Sequence, residues 1–445
     1  MQPFNVRETL RAIRVSPVKT LGQNFLHDRN LAQWIVKQAE LVPGDDVVEV
    51  GPGLGALTEF VLAAGAHVVA IEKDARLANF LRGKFRDHQV EIHCADALDF
   101  DVRELFAKPS AKLLGNLPYN IASQLLLKYL TYPTPFSLVI LMLQKEMAER
   151  LCAAPSTKDY GALTLQIQFH YRAQYLKKVP ASVFIPPPGV DSAIVSIQPR
   201  TAANTPACDY DLFTRLVRRG FSQRRKQLGK LLVRDIPNWP KAARALGLDR
   251  QVRAEAVSFD QWIRLASYVR PVLPPDRKKS GSEQFPVVDA SDRVLRSAPR
   301  EEVHGNNLLH RAVHILIFRK NGEVYLQKRS RWKDRHPLSW DSSAAGHVDA
   351  GEGYDEAAKR ELNEELGIQV ELEKVCKLPA TERTGLEFIW LYRGCHDGEF
   401  RLDLSEIESG AFFPVAVVSG WLAARPHDFA PGFAECWKAY RDLNR

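Results

Sequence analysis

Hydrophobic and polar positions along the chain predict two separate folded regions. An apolar run at 47–50 leads into a glycine cluster, and helical spacing resumes from Leu57 to Leu62, which is a strand, a tight turn and a helix. Further strands are predicted at 67–71, 90–93 and 112–114, with a plausible helix between each pair, as a parallel doubly wound sheet requires. Residues 204–270 change to arginine-rich helical stretches without clear strands and predict a small helical subdomain. From 271 to 304 the chain is rich in Pro, Ser, Lys, Arg and Asp with little periodicity, which predicts a linker. A fresh apolar pattern begins at Leu308. The expected division is therefore a catalytic domain over 1–203, a helical subdomain over 204–270, a linker over 271–304 and a second domain over 305–445.

Composition narrows the classes. With 445 residues, 45% of them hydrophobic and 26% charged, the chain has globular composition, which excludes disorder, collagen and coiled coil. The longest apolar run, around 136–143, is far shorter than a membrane span needs, and the N-terminus lacks a signal-peptide pattern, so a soluble cytoplasmic protein without a membrane partner is expected. Six widely spaced cysteines suggest neither a zinc knuckle nor a disulfide framework. The net charge of +8 is uneven: residues 1–270 carry 36 Lys and Arg against 25 Asp and Glu, and residues 271–445 carry 25 against 28. A polyanion suits the first region and a smaller, metal-assisted ligand the second.

The chemistry of the first region is ordered along its strands. Glu49-Val50-Gly51-Pro52-Gly53-Leu54-Gly55 places glycines where backbone must turn tightly and approach a ligand. The spacing is G-x-G-x-G, which needs no pyrophosphate and suits S-adenosylmethionine. Glu72, ending the second strand, is placed to accept both hydrogen bonds of a ribose diol, and Asp96, after the third, to reach an adenine amine. Either acid alone is equally a solvated strand-end charge. After the fourth strand comes Asn116-Leu117-Pro118-Tyr119. The Asn116 side-chain oxygen and the Leu117 carbonyl can accept from an aromatic amine, and Tyr119 offers a face for the base. A turn with a packed tyrosine is the plainer alternative.

Over about residues 10–270 the sequence resembles the ribosomal small-subunit RNA adenine dimethyltransferases. The resemblance rests on Leu21-Gly22-Gln23-Asn24-Phe25-Leu26, the glycine loop, the Asn116 motif, Leu143-Gln144-Lys145-Glu146, Tyr160-Gly161, Val183-Phe184-Ile185-Pro186-Pro187-Pro188, Val190-Asp191-Ser192 and Phe221-Ser222-Gln223-Arg224-Arg225-Lys226. It implies a Rossmann-like α/β fold with S-adenosylmethionine held by Asn24, Leu26, Gly51, Gly53, Glu72, Asp96 and Asn116, catalysis at Asn116 and Leu117, and a target base between Tyr119 and Phe184. The implied reaction dimethylates the exocyclic amines of two adjacent adenosines in a 3′-terminal hairpin of 16S ribosomal RNA, within the small subunit. Eight basic residues between Arg215 and Arg234, with no acid among them, suit phosphate contacts; Arg218, Arg219, Arg224, Arg225 and Lys226 are the expected RNA-binding set, unless the run is only a solvated helix face.

In the second region, Gly346, Glu352, Arg360, Glu361, Leu362, Glu364, Glu365, Gly367 and Ile368 fit G-x5-E-x7-R-E-U-x-E-E-x-G-U, identified as a Nudix box, which implies a separate α/β/α Nudix domain. Glu361, Glu364 and Glu365 fall on one helix face. Like charges there are sensible if Mg2+ binds them, with Glu364 or Glu365 activating water against a diphosphate in a small molecule or an RNA end. Surrounding segments resemble the Nudix branch that includes isopentenyl-diphosphate isomerase. That isomerase needs a cysteine where Ala345 stands, so hydrolysis is expected instead; His310 and His347 match its metal-ligand positions, though a lone histidine is often structural. The competing function is an RNA-binding ribosome-assembly factor whose Nudix module only senses a nucleotide.

Overall fold

In the computed structural model, which describes residues 5–18, 22–108, 110–201, 204–274 and 283–444, the four expected strands form as Asp46–Val50, His67–Glu72, Val90–Cys94 and Ala111–Asn116. Leu21, at the head of the first quoted motif, lies outside the described residues, as do 275–282 of the expected linker. The chain divides into two units, Met1–Leu105 with Ser110–Pro271, and Phe106–Pro109 with Val272–Arg445.

The first unit is built on seven strands in the order Val90–Cys94, His67–Glu72, Asp46–Val50, Ala111–Asn116, Phe136–Gln144, Ser192–Pro199 and Tyr171–Val179. The first five run parallel and the last two pair antiparallel. Both faces of the sheet are covered, so its central strands carry apolar side chains toward both. Val48, Val50 and Leu113 enter one core, and Val47, Val68 and Leu114 the other, as side-chain alternation dictates. Glu72, Asp96 and Asn116 all lie at or just past strand carboxyl ends, the edge where open α/β sheets bind ligands.

Three strands of this sheet, Phe136–Gln144, Tyr171–Val179 and Ser192–Pro199, go beyond the four that the sequence predicts. Phe136–Gln144 reads as an undivided apolar run, which periodicity does not separate from a buried helix. Tyr171–Val179 is an edge strand with exposed Lys177 and Lys178, and edge positions blur the alternation. Residues 204–270 form the helices Tyr210–Phe221, Leu228–Leu231, Trp239–Leu246 and Phe259–Val269 around buried Phe213, Trp239 and Trp262.

The second unit holds another seven-stranded sheet, in which His310–Phe318 runs parallel to Glu387–Cys395 and antiparallel to Ala344–His347. Val313, Ile315 and Ile317 pack on the helix Tyr354–Leu366, and Ala312 and Leu316 on the opposite face with Val415–Ala424 and Pro431–Leu443. That is an α/β/α sandwich. The expected linker is corrected in part: Gln284–Val288 and Val294–Pro299 form an antiparallel hairpin, followed by the helix Arg300–Gly305. Phe285, Val287, Val288 and Ala298 are buried, but these strands are short, and the exposed Val294 and Leu295 beside Gln284, Arg296 and Ser297 blur the alternation in the sequence.

Candidate functional sites: a strand-end cavity and an acidic helix

The glycine turn of the first unit requires glycine for two reasons. Gly53 and Gly55 have φ of +59° and +81°, a region L side chains avoid, and a Cβ on Gly55 would meet the Phe85 ring at 2.7 Å. The turn walls a cavity lined also by Asn24, Gly51, Glu72, Asp96, Asn116 and Pro118. Glu72 is fixed there by two backbone donors, Asp74 N at 2.9 Å and Gly53 N at 3.1 Å, and burial raises its carboxyl pKa. Asp96 pairs with Lys73 at 2.5 Å, which holds its pKa down, and accepts from Leu98 N at 2.9 Å. Below the turn, Glu49 is fully buried, receives a 2.7 Å hydrogen bond from Thr58, and is pushed up to about 7 by burial.

Asn116 is oriented by one bond. Its Nδ2 donates to the Asn24 carbonyl at 3.1 Å, so the side-chain oxygen is the group left for a ligand. The hydroxyls of half-buried Tyr119 and buried Ser192 lie 2.6 Å apart. Ser192 closes the motif Val190-Asp191-Ser192, but its role as a tyrosine partner carries no signal in the sequence.

Not every expected residue reaches the cavity. Leu26 and Phe184 are paired across a short antiparallel ladder and buried in the core, with Phe184 only 2% exposed. The ring expected to face a base is thus packed inward, because the strand pair turns both side chains toward the helix Arg29–Gln38. Leu117 is likewise a core side chain, leaving its carbonyl as the group able to act. In the basic run, Arg219 is paired with Asp235, which also lies 3.7 Å from Arg215, and Arg224 with Glu255 at 3.5 Å and the Lys158 carbonyl at 2.8 Å. Partners beyond the run therefore engage those arginines, although Arg215 and Arg224 are exposed, as Arg218, Arg225 and Lys226 are.

On the helix Tyr354–Leu366, Arg360 grips Glu352 through two bonds of 3.0 and 2.9 Å and also reaches Glu361 at 2.7 Å, Glu364 at 3.1 Å and the His347 carbonyl at 2.9 Å. Burial raises Glu361 to about 7 and Glu365 to about 8, while Glu364 is exposed. A buried carboxylate and a half-buried one, both resisting ionisation, beside an exposed third form a set that a divalent cation fits. Gly346 lies against it so closely that a Cβ would stand 2.1 Å from the Glu361 carboxyl carbon. Glu365 also accepts from Ala345 N at 3.1 Å and Gln327 at 3.0 Å. A large cleft collects these glutamates with Arg300, Arg331, Lys333, His304 and Glu387. His304 and Glu387 escaped the sequence reading: one lies in the expected linker and the other in a strand without a motif.

A Rossmann-like sheet with this cavity at its carboxyl edge, followed along the chain by an α/β/α unit bearing the acidic helix, defines a methyltransferase joined to a Nudix-type domain. Residues 17–270 match the family model for ribosomal RNA adenine dimethylase, and the chain belongs to that family. Residues 308–433 match the NUDIX domain model. Curated relatives include "Ribosomal RNA small subunit methyltransferase A" of Alcanivorax borkumensis, 40% identical over 57% of this chain and 90% of the relative. The protein of the same name from Pelotomaculum thermopropionicum is 40% identical over 59% of this chain and 95% of the relative. The protein is an enzyme, an rRNA adenine dimethyltransferase with a fused Nudix domain. Among the described residues, no helix is long and apolar enough to cross a membrane.

Proposed function

We propose that the first unit dimethylates the exocyclic amines of two adjacent adenosines in a 3′-terminal hairpin of small-subunit ribosomal RNA, in the cytoplasm, during subunit assembly. The observation that carries this reading is the Asn24–Asn116 bond, which commits the amide nitrogen and presents the oxygen as an acceptor. S-adenosylmethionine, held by Asn24, Gly51, Gly53, Glu72 and Asp96, supplies an electrophilic methyl group. An aromatic amine is a poor nucleophile because its lone pair is delocalised into the ring. Acceptance of its protons by Asn116 Oδ1 and the Leu117 carbonyl favours a more tetrahedral nitrogen, while Tyr119 stacks on the base. A hairpin loop gives up its bases more readily than a duplex does. Arg218, Arg225 and Lys226 contact phosphates, with Arg219 and Arg224 contributing from their braced positions.

Transfer of labelled methyl groups to purified small subunits tests this assignment. Asn116→Ala is expected to lower the rate about a hundredfold or more with RNA affinity retained; transfer at the wild-type rate would overturn the role of Asn116. Label accepted only by large subunits would overturn the substrate.

The second unit is assigned metal-assisted hydrolysis of a diphosphate, with Mg2+ held by Glu361, Glu364 and Glu365. Phosphate release from a panel of nucleotides, capped RNAs and prenyl diphosphates, compared with Glu364→Gln, tests it. Turnover lost in the variant establishes the hydrolase and names its substrate class. Tight binding without turnover establishes the sensor alternative.

A further inference from the structure

His314, in the middle of the strand His310–Phe318, is only 6% exposed yet lines the cleft that holds the Nudix glutamates. It is in register with Ala345 of the neighbouring strand, whose backbone N–H donates to Glu365 at 3.1 Å, so the ring lies one strand away from a carboxylate of the acidic helix. Its Nδ1 is held from behind. Ser342 Oγ stands at 2.8 Å and Asp341 Oδ1 at 3.6 Å, and Asp341 is itself fixed by Ser342 N at 2.8 Å and by Arg329 at 2.8 Å. A carboxylate on that side favours the proton on Nδ1, so these neighbours assign to Nε2 a lone pair directed into the cleft.

Two further observations point to a ligand of a particular kind. Among the described residues, no hydrogen bond reaches His314 Nε2, and the residues around it are small. Ala345 flanks the ring in register, and a Cβ on Gly432, at the start of the helix Pro431–Leu443, would stand 3.5 Å from Nε2. The nitrogen is therefore left uncovered, and a buried acceptor without a donor is costly until a ligand supplies one. The cleft is also poor in apolar side chains. Among the described residues that line it, Phe285 and Trp332 are the only large ones, with no Leu, Ile, Val or Met, and Phe285 is engaged in stacking on His347 at 4.4 Å. A hydrocarbon chain finds no apolar slot in such a wall.

We propose that His314 Nε2 accepts a hydrogen bond from a hydroxyl or amine of the group esterified to the diphosphate, so that the second unit selects nucleoside or sugar diphosphates and rejects prenyl diphosphates. The inference rests on the diphosphate reading of that unit and adds the residue that reads the rest of the ligand. A prenyl chain at this position leaves Nε2 unpaired and gains little apolar contact. A site built to bond a substrate hydroxyl or amine rejects the analogue lacking it far more strongly than a hydrophobic pocket rejects a missing methylene. A histidine that only braced the Asp341–Ser342 turn would instead affect every diphosphate alike.

The test measures binding to the full chain by calorimetry, with magnesium present and S-adenosylmethionine saturating the first unit, in wild type and in Glu364→Gln, where turnover is expected to stop. The probes are UDP, UDP-glucose, geranyl diphosphate and inorganic diphosphate. UDP or UDP-glucose is expected to bind at least about tenfold tighter than geranyl diphosphate. Tighter binding of UDP-glucose than of UDP places the glucose hydroxyls at His314; otherwise the nucleoside is the group read. His314→Asn keeps a polar group toward Ser342 and removes Nε2, and Gly432→Ala lays a methyl 3.5 Å from Nε2 in a helix that alanine favours. Both are expected to weaken the preferred probe at least about tenfold while leaving inorganic diphosphate unchanged. Circular dichroism establishes that each variant is folded, and if His314→Asn is not, Gly432→Ala decides the outcome. Geranyl diphosphate bound as tightly as the other two, or a folded His314→Asn that binds the preferred probe like wild type, overturns the inference. Failure of inorganic diphosphate to bind at all would overturn the diphosphate reading with it, whereas absent turnover with the preference intact would bear on the hydrolase alone.

Discussion

Asn116 and Glu49 act through what surrounds them. Tyr119 and Ser192 share one hydroxyl contact at 2.6 Å, so Tyr119→Phe and Ser192→Ala remove the same interaction. Each is expected to cost about 1 kcal/mol of stability, and the double variant little more than either, as a double-mutant cycle by denaturant unfolding will show. Fully additive losses would mean that the two hydroxyls act independently. Glu49 gives a pH signature. Its folded pKa is raised from 4.5 to about 7, so its contribution to stability is complete below pH 4.5 and is lost as pH rises through 7. Glu49→Gln keeps an acceptor for Thr58 without the charge, and is expected to stabilise the first unit at pH 8 by on the order of 3 kcal/mol and to leave it nearly unchanged at pH 4. An equal effect at both values would place the charge elsewhere.

At the scale of elements, the helix Tyr354–Leu366 is shaped by what lies beneath it. Three glutamates on one face oppose helix formation, and Arg360 offsets that by bonding Glu352, Glu361 and Glu364 together. Gly346 permits the closest approach: Glu361 occupies the volume a Cβ would need. Gly346→Ala is therefore expected to displace Glu361 and lower magnesium-dependent phosphate release at least about tenfold while the unit remains folded, checked by turnover beside circular dichroism. The hairpin Gln284–Val288 and Val294–Pro299 shows the opposite case, an element whose sequence does not announce it. Four buried apolar side chains suffice to hold it once another sheet is present to pack on, and in isolation they read as linker.

Over the whole molecule, charge is divided along the chain, with the excess of Lys and Arg confined to residues 1–270. RNA affinity is expected to fall steeply with salt, and Arg225→Glu with Lys226→Glu to reduce the slope of log affinity against log salt by roughly 2, measured by filter binding. An unchanged slope would remove both from the interface. The sequence by itself determined the features that depend on local order: four parallel strands from apolar runs, the glycine turn, the acids at strand ends, and the Nudix spacing that puts Glu361, Glu364 and Glu365 on one face. Tertiary structure alone decided what depends on distant partners. It turned Phe184 into the core, tied Arg219 and Arg224 to Asp235 and Glu255, gave Asn116 its orientation through Asn24, and gathered His304, His310, His347 and Glu387 from four separate elements. Periodicity reports which face of an element is buried, because burial repeats with the backbone. It does not report which residue, far away in the chain, will stand opposite.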